Sequence, residues 1–236
     1  MSLTVQELFQ KLSYGELSNL HMGAEGTGTI DESKIPSVIL YANEALLKLH
    51  SRFILIEKDL NLELFSHITN YHFLNRYTES RREQYNTRYP YIKDLINERF
   101  DEDLIRVLTV TDKYGKTLPL NDSANPLSVF TPQPRTLQVP RPVTGMSLAV
   151  QYQARHPKLK GEDPDELIDI PDTLEVALTA YIAYNVFCTI ATPESTAKAQ
   201  EHLAKYEATC MEVENKDLVS TSVSGTNSRF EKNGWA

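Results

Sequence analysis

Residues 170–190 read IPDTLEVALTAYIAYNVFCTI and residues 192–217 read TPESTAKAQEHLAKYEATCMEVENKD. The first stretch is almost wholly apolar and predicts a buried helix from Pro171 to about Ile190. The second alternates small apolar residues with charges at helical spacing and predicts an amphipathic helix from Pro193 to about Lys216. Each opens on a proline, whose missing N–H costs nothing in a first turn. Asp172 and Glu175 follow the first proline, where acids stabilise the positive pole of the helix. Beyond them, residues 218–236, LVSTSVSGTNSRFEKNGWA, show no periodicity yet end in Phe230 and Trp235. So polar a segment buries too little apolar surface to order by itself. Aromatics at its end therefore predict a receiving surface on another molecule, with Leu218, Val223, Arg229, Phe230 and Trp235 as the contacts. This arrangement favours an assembly component over an enzyme.

Upstream, Thr4 and Glu7 have capping-box spacing before a short helix with Val5, Leu8 and Leu12 on one face, and Gly15 is its stop. A longer helix begins at Pro36, with Val38, Ala42, Ala45, Leu46, Leu49 and Phe53 at helical spacing. After Phe53 the period changes. Leu60, Leu62 and Leu64 alternate with polar residues, and residues 68–73, 104–111, 128–130, 136–139 and 146–152 continue in strand-forming residues. Asp112–Gly115 predicts a turn into 116–120 and hence a hairpin. Residues 91–100 predict a short helix. Pro126, Pro132, Pro134, Pro140 and Pro142 predict short edge strands and exposed loops in the middle of the chain. The order helices, strands, helices indicates an α+β fold. It predicts a helical bundle from residues 1–56 and 156–217, a small antiparallel β domain inserted at 57–155, and an extended tail at 218–236.

The 236 residues are 24% charged and 41% hydrophobic, with a net charge of −8. That balance is ordinary for a globular chain and opposes general nucleic-acid binding, which needs a basic surface. No apolar run is read as approaching the roughly 20 residues of a membrane span, and no signal peptide is read at the N-terminus. Cys188 and Cys210 both fall in predicted helices and are expected as small core residues rather than a disulfide.

Candidate chemistry is thin. Gly115-Lys116-Thr117 resembles the end of a phosphate loop, but Val110 stands where the first glycine is required. His67 and His72 lie five apart, on opposite faces of a strand. The remaining histidines, His21, His50, His156 and His202, are scattered. The acid-rich run 161–175 lacks the glycine and glutamate of a calcium loop. No cofactor, metal or catalytic residue is therefore expected.

Two features suit interfaces instead. Residues 123–161 carry Arg135, Arg141, Arg155, Lys158 and Lys160 and no acid, whereas 161–175 carry seven acids, among them Asp163, Asp165 and Glu166, and no base. Such juxtaposition suits head-to-tail contact between copies. Residues 71–93 are dense in tyrosine and arginine, including Tyr77, Arg81, Arg82, Tyr85 and Tyr89. These residue types are favoured at protein–protein hot spots and could also stack on single-stranded nucleic acid.

The helix VILYANEALLKLHSRF (38–53), the proline-acid opening of 170–190 and the acid-rich partner helix 192–217, with its loose tail, together resemble the head-to-tail adaptors of tailed bacteriophages, particularly those of short-tailed phages. The resemblance covers a little over a quarter of the chain. It implies a homo-oligomeric ring, typically dodecameric, below the portal, with the helices in the ring wall. The β domain would face the tail tube or nozzle protein, and the C-terminal tail would be anchored along the portal. DNA would pass through an acidic channel without specific binding, no membrane would be involved, and the protein would belong to the virion after assembly in the host cytoplasm. Alternative expectations are a tail-terminator or tail-completion protein, a hydrolase using residues 162–175, and a nucleic-acid module using 71–93.

Overall fold

The computed structural model describes residues 3–20, 28–95 and 99–219. A two-residue strand, β1 (Leu3–Thr4), runs directly into α1 (Val5–Tyr14). The Thr4 hydroxyl accepts from the Glu7 N–H at 3.1 Å, and the Glu7 carboxylate accepts from the Thr4 N–H at 2.9 Å. This reciprocal cap starts the helix with Val5, Leu8 and Leu12 buried, and Gly15 ends it. α2 (Ile35–Arg52) has Pro36 in its first turn and buries Val38, Ala42, Ala45, Leu46 and Leu49, as the spacing predicts.

The chain then turns to strands: β2 (Glu57–Glu63), β3 (Asn70–His72), a one-turn helix α3 (Arg82–Tyr85), β4 (Ile92–Lys93), β5 (Leu104–Asp112), β6 (Phe130–Gln133), β7 (Thr136–Gln138) and β8 (Ser147–Ala154). They form a four-stranded antiparallel sheet in the order β4-β2-β8-β5 and a three-stranded one in the order β3-β7-β6. Strand β9 (Leu167–Ile168) pairs with β1, tying the N-terminus to the segment before the last helices. Those helices are α4 (Glu175–Ile190), entered through a 3-10 turn at Asp172–Leu174, and α5 (Pro193–Asn215), capped by Thr192. The fold is thus mixed α and β, with antiparallel sheets.

Apolar burial divides into two clusters. One gathers residues from both ends of the chain, between Leu3 and Phe53 and between Leu159 and Val213. The other lies entirely between Leu60 and Ala154. In the first, α4 packs on α5, α2 and α1. Its buried Ala177, Ala180 and Ala183 leave room for neighbouring helices to approach. In the second, two tyrosines join the sheets. The Tyr71 hydroxyl accepts from the Phe65 N–H at 3.0 Å, and the Tyr91 hydroxyl accepts from the His72 N–H at 2.9 Å. Both rings are buried, so these backbone partners satisfy hydroxyls that water does not reach.

Several expectations are corrected. Residues 91–95 do not begin a helix: Asn61 and Leu62 of β2 pair with Lys93 and Ile92, because β2 offers an open edge and Ile92 alternates inward. The prolines do not confine the middle of the chain to edge strands. β8 is central, paired on both sides by β2 and β5, since the last proline before it is Pro142 and every residue of the strand keeps its N–H. The turn at 112–115 forms, with Gly115 at φ 81°, but the returning arm makes only the single bridge Thr111–Thr117 rather than a ladder. Cys210 is buried, whereas Cys188 is exposed. The run 172–190 is long and apolar enough to cross a membrane by length and composition alone, a test that buried core helices also pass.

Candidate functional site

The two clusters meet where β8 reaches the C-terminal end of α2. Helix ends leave carbonyls without intrahelical partners, and here a side chain from the sheet supplies them. Gln153 is fully buried, and its Nε2 donates to the carbonyls of His50 and Phe53, the latter at 2.8 Å. Its Oε1 accepts from Arg106 Nε at 2.7 Å. Beside it, Asp103 accepts from the Tyr152 hydroxyl at 3.0 Å and pairs with Lys58 at 2.8 Å.

Two histidines that are far apart in sequence also meet at this junction. The His50 ring is fully buried and stands edge-on to His156, with centroids 5.6 Å apart. Neither His50 ring nitrogen has a hydrogen-bond partner among the described residues. Burial, reinforced by His156, pushes its pKa down to about 4. Burial also lowers the His156 pKa. Its Nε2 accepts from the Asp169 N–H at 3.0 Å, and its Nδ1 lies 2.6 Å from the Pro157 carbonyl oxygen. In the sequence these histidines stand 106 positions apart. A signal was present nonetheless: His50 falls four residues after Leu46, on the buried stripe of α2.

The tyrosine–arginine segment divides between packing and surface. Tyr77 stacks on buried Tyr91, with centroids 4.6 Å apart and planes at 20°. Arg81 pairs with Asp101 at 2.8 Å, and Tyr89 packs against Phe65 and His67. Arg82 and Tyr85 project outward on α3, with Tyr85 46% exposed. His72 Nδ1 lies 3.0 Å from the Thr136 hydroxyl. Among the described residues, no group of three His, Cys, Asp or Glu is arranged to hold a metal.

The charged segments do not form two simple faces. Arg135 is exposed in the turn between β6 and β7, and Arg141 is exposed beyond β7. Lys158 and Lys160 instead adjoin the acidic loop. Within that loop, the Glu166 carboxylate accepts from the Lys160 N–H at 3.0 Å and the Gly161 N–H at 3.1 Å. Asp163 accepts from the Asp165 N–H at 3.0 Å. Glu166 is therefore committed to the loop's own shape, while Asp163 and Asp165 stay exposed and precede the 59%-exposed Leu167.

At the far end of the four-stranded sheet lies an apolar groove. Leu64, Leu118, Leu127, Val139 and Met146 line it, as do Lys116 and Arg141. Of the expected tail contacts, Leu218 is half-exposed after α5; Val223, Arg229, Phe230 and Trp235 lie outside the described residues. No protein-family profile matches the chain, and no curated protein matches it at a significant level.

Proposed function

We propose that the chain is a structural head-to-tail adaptor of a tailed bacteriophage, a homo-oligomeric ring that joins the portal to the tail and continues the DNA channel. The observation that carries this reading is the division of the interior into two cores, one drawn from both ends of the chain and the other from its middle. In this reading α1, α2, α4 and α5 are a helical bundle that forms the ring wall. Residues 57–155 are the inserted domain that meets the tail tube or nozzle protein. Residues 218–236 are the segment that docks on the portal, through Phe230 and Trp235. The net charge of −8 suits a channel along which DNA slides without adhering. The protein acts without cofactor or catalysis, in the host cytoplasm during assembly and in the virion afterwards.

Electron microscopy of the protein mixed with the portal encoded in the same genome tests the reading. An additional ring layer on the portal is expected, and its subunits can be counted directly. Bare portals beside free protein, across a range of salt and concentration, would sink it.

A further inference from the structure

The groove at the end of the sheet and the acidic loop around Leu167 complement each other in apolar character and charge. The groove's lining is largely aliphatic, including Leu64, Leu118, Leu127 and Met146, and Leu127 is 60% exposed. Lys116 and Arg141 are also in the lining. Asp112 is in the lining too, its Oδ1 accepting from the N–H groups of Tyr114 at 2.8 Å and Lys116 at 2.9 Å, so the charged lining is two cations to one anion. An occupant should therefore offer one large aliphatic side chain flanked by carboxylates. The loop offers that combination: Leu167 is exposed beside Asp163, Asp165 and Asp169.

A single copy cannot make this contact with itself. The sheet joins the helices at its Gln153 end, and the groove lies at the other, beyond a seven-residue strand β2, about 20 Å away at the rise of a strand. The acidic loop sits elsewhere. Leu159 exchanges hydrogen bonds with Asn43, and Gly161 lies against Ile39. Ile39 is about 20 Å back along α2 from Phe53 at the rise of a helix. No strand of the four-stranded sheet makes extensive contact with α2, so the helix is not laid along the sheet and the loop stays apart from the groove.

We propose that the groove binds residues 162–169 of a second copy of this chain, with Leu167 entering the aliphatic lining and the flanking acids meeting Arg141 and Lys116. The contact is heterologous, so it propagates from copy to copy and closes into a ring when the rotation permits. This deepens the ring of the proposed function, and its test needs no portal.

The test is sedimentation velocity of the full chain from about 1 to about 500 µM, at low and high salt, a span wide enough to reveal a micromolar contact. Concentration-dependent oligomers that weaken with salt are expected. Leu167→Ser should raise the dissociation constant about tenfold or more, the equivalent of losing one buried leucine. Arg141→Glu should act alike through charge reversal, and Leu127→Ser is a second groove variant should either fail to fold. An equimolar mixture of Leu167→Ser and Arg141→Glu retains one good groove and one good loop, so it should form dimers and stop there. A wild-type monomer throughout the range, variants that associate like wild type, or a mixture without dimers would each overturn the proposal. Self-association without portal binding would instead remove the adaptor reading and leave this one standing.

Discussion

Replacing His50 by leucine should remove a specific part of the protein's sensitivity to acid. The ring is fully buried against His156, and burial pushes its pKa down to about 4. In the unfolded chain an imidazole titrates near about 6.5. The folded state therefore holds His50 neutral, and unfolding takes up a proton over the interval between those values. The stability this protects is fully present above the unfolded pKa and is lost as pH falls towards the folded one. Each unit of difference is worth about 1.4 kcal/mol, so the shift implies about 2 kcal/mol of lost unfolding free energy between neutral pH and pH 5. Urea unfolding at both pH values, on wild type and His50→Leu, measures it. His156 and His202, whose pKa values burial also lowers, weaken the fold in acid in the same direction, as at lower pH do Glu212 and Glu214, held low by Lys216 and Arg52. They are common to both proteins and cancel in the difference. Wild type should lose about 2 kcal/mol more than the variant on acidification. An equal acid loss in the two proteins would refute the reasoning and show that His50 is solvated or paired when the protein is folded.

Other perturbations test the joints. Gln153→Leu strips the partners from the carbonyls of His50 and Phe53 and from Arg106; it should cost about 2 kcal/mol, measured by chemical denaturation, and open residues 53–57 to limited proteolysis. Gly161→Ala places a Cβ about 2.6 Å from Ile39 Cγ1 at φ 71°. That strain should lower stability by about 1–3 kcal/mol and be partly relieved by Ile39→Ala, which a double-mutant cycle would detect. Deleting residues 227–236 should leave the thermal midpoint unchanged while weakening capture by the portal in a pull-down, and undiminished capture would contradict the docking role of the tail.

The helices were legible in the sequence because each carries its own signals. Thr4 with Glu7, Pro36, the apolar run of 175–190 and Thr192-Pro193 act within a few residues of the chain, and local capping and periodicity decide them. The alternation of Leu60, Leu62 and Leu64 likewise showed a strand, as did 104–111. Which strand would be central did not follow from any local signal. β8 became so because β2 and β5 both found its edges, a choice made by pairing with β2 across 84 to 96 positions of sequence. The short stretch at Tyr91–Lys93 had ambiguous propensity and was decided by the open edge of β2. The sites divide in the same way. The acids of 162–169 and the tyrosines of 77–89 are visible as composition, but only packing turned Tyr77 inward onto Tyr91 and committed Glu166 to the loop backbone. The meeting of His50 with His156, the capping of α2 by Gln153 and the aliphatic groove at Arg141 each join residues brought together by tertiary contact. Local sequence fixes helix ends and periods because those interactions are short-ranged. The tertiary structure decided the junction and the groove, because burial and hydrogen bonding there depend on chain segments that no local pattern relates.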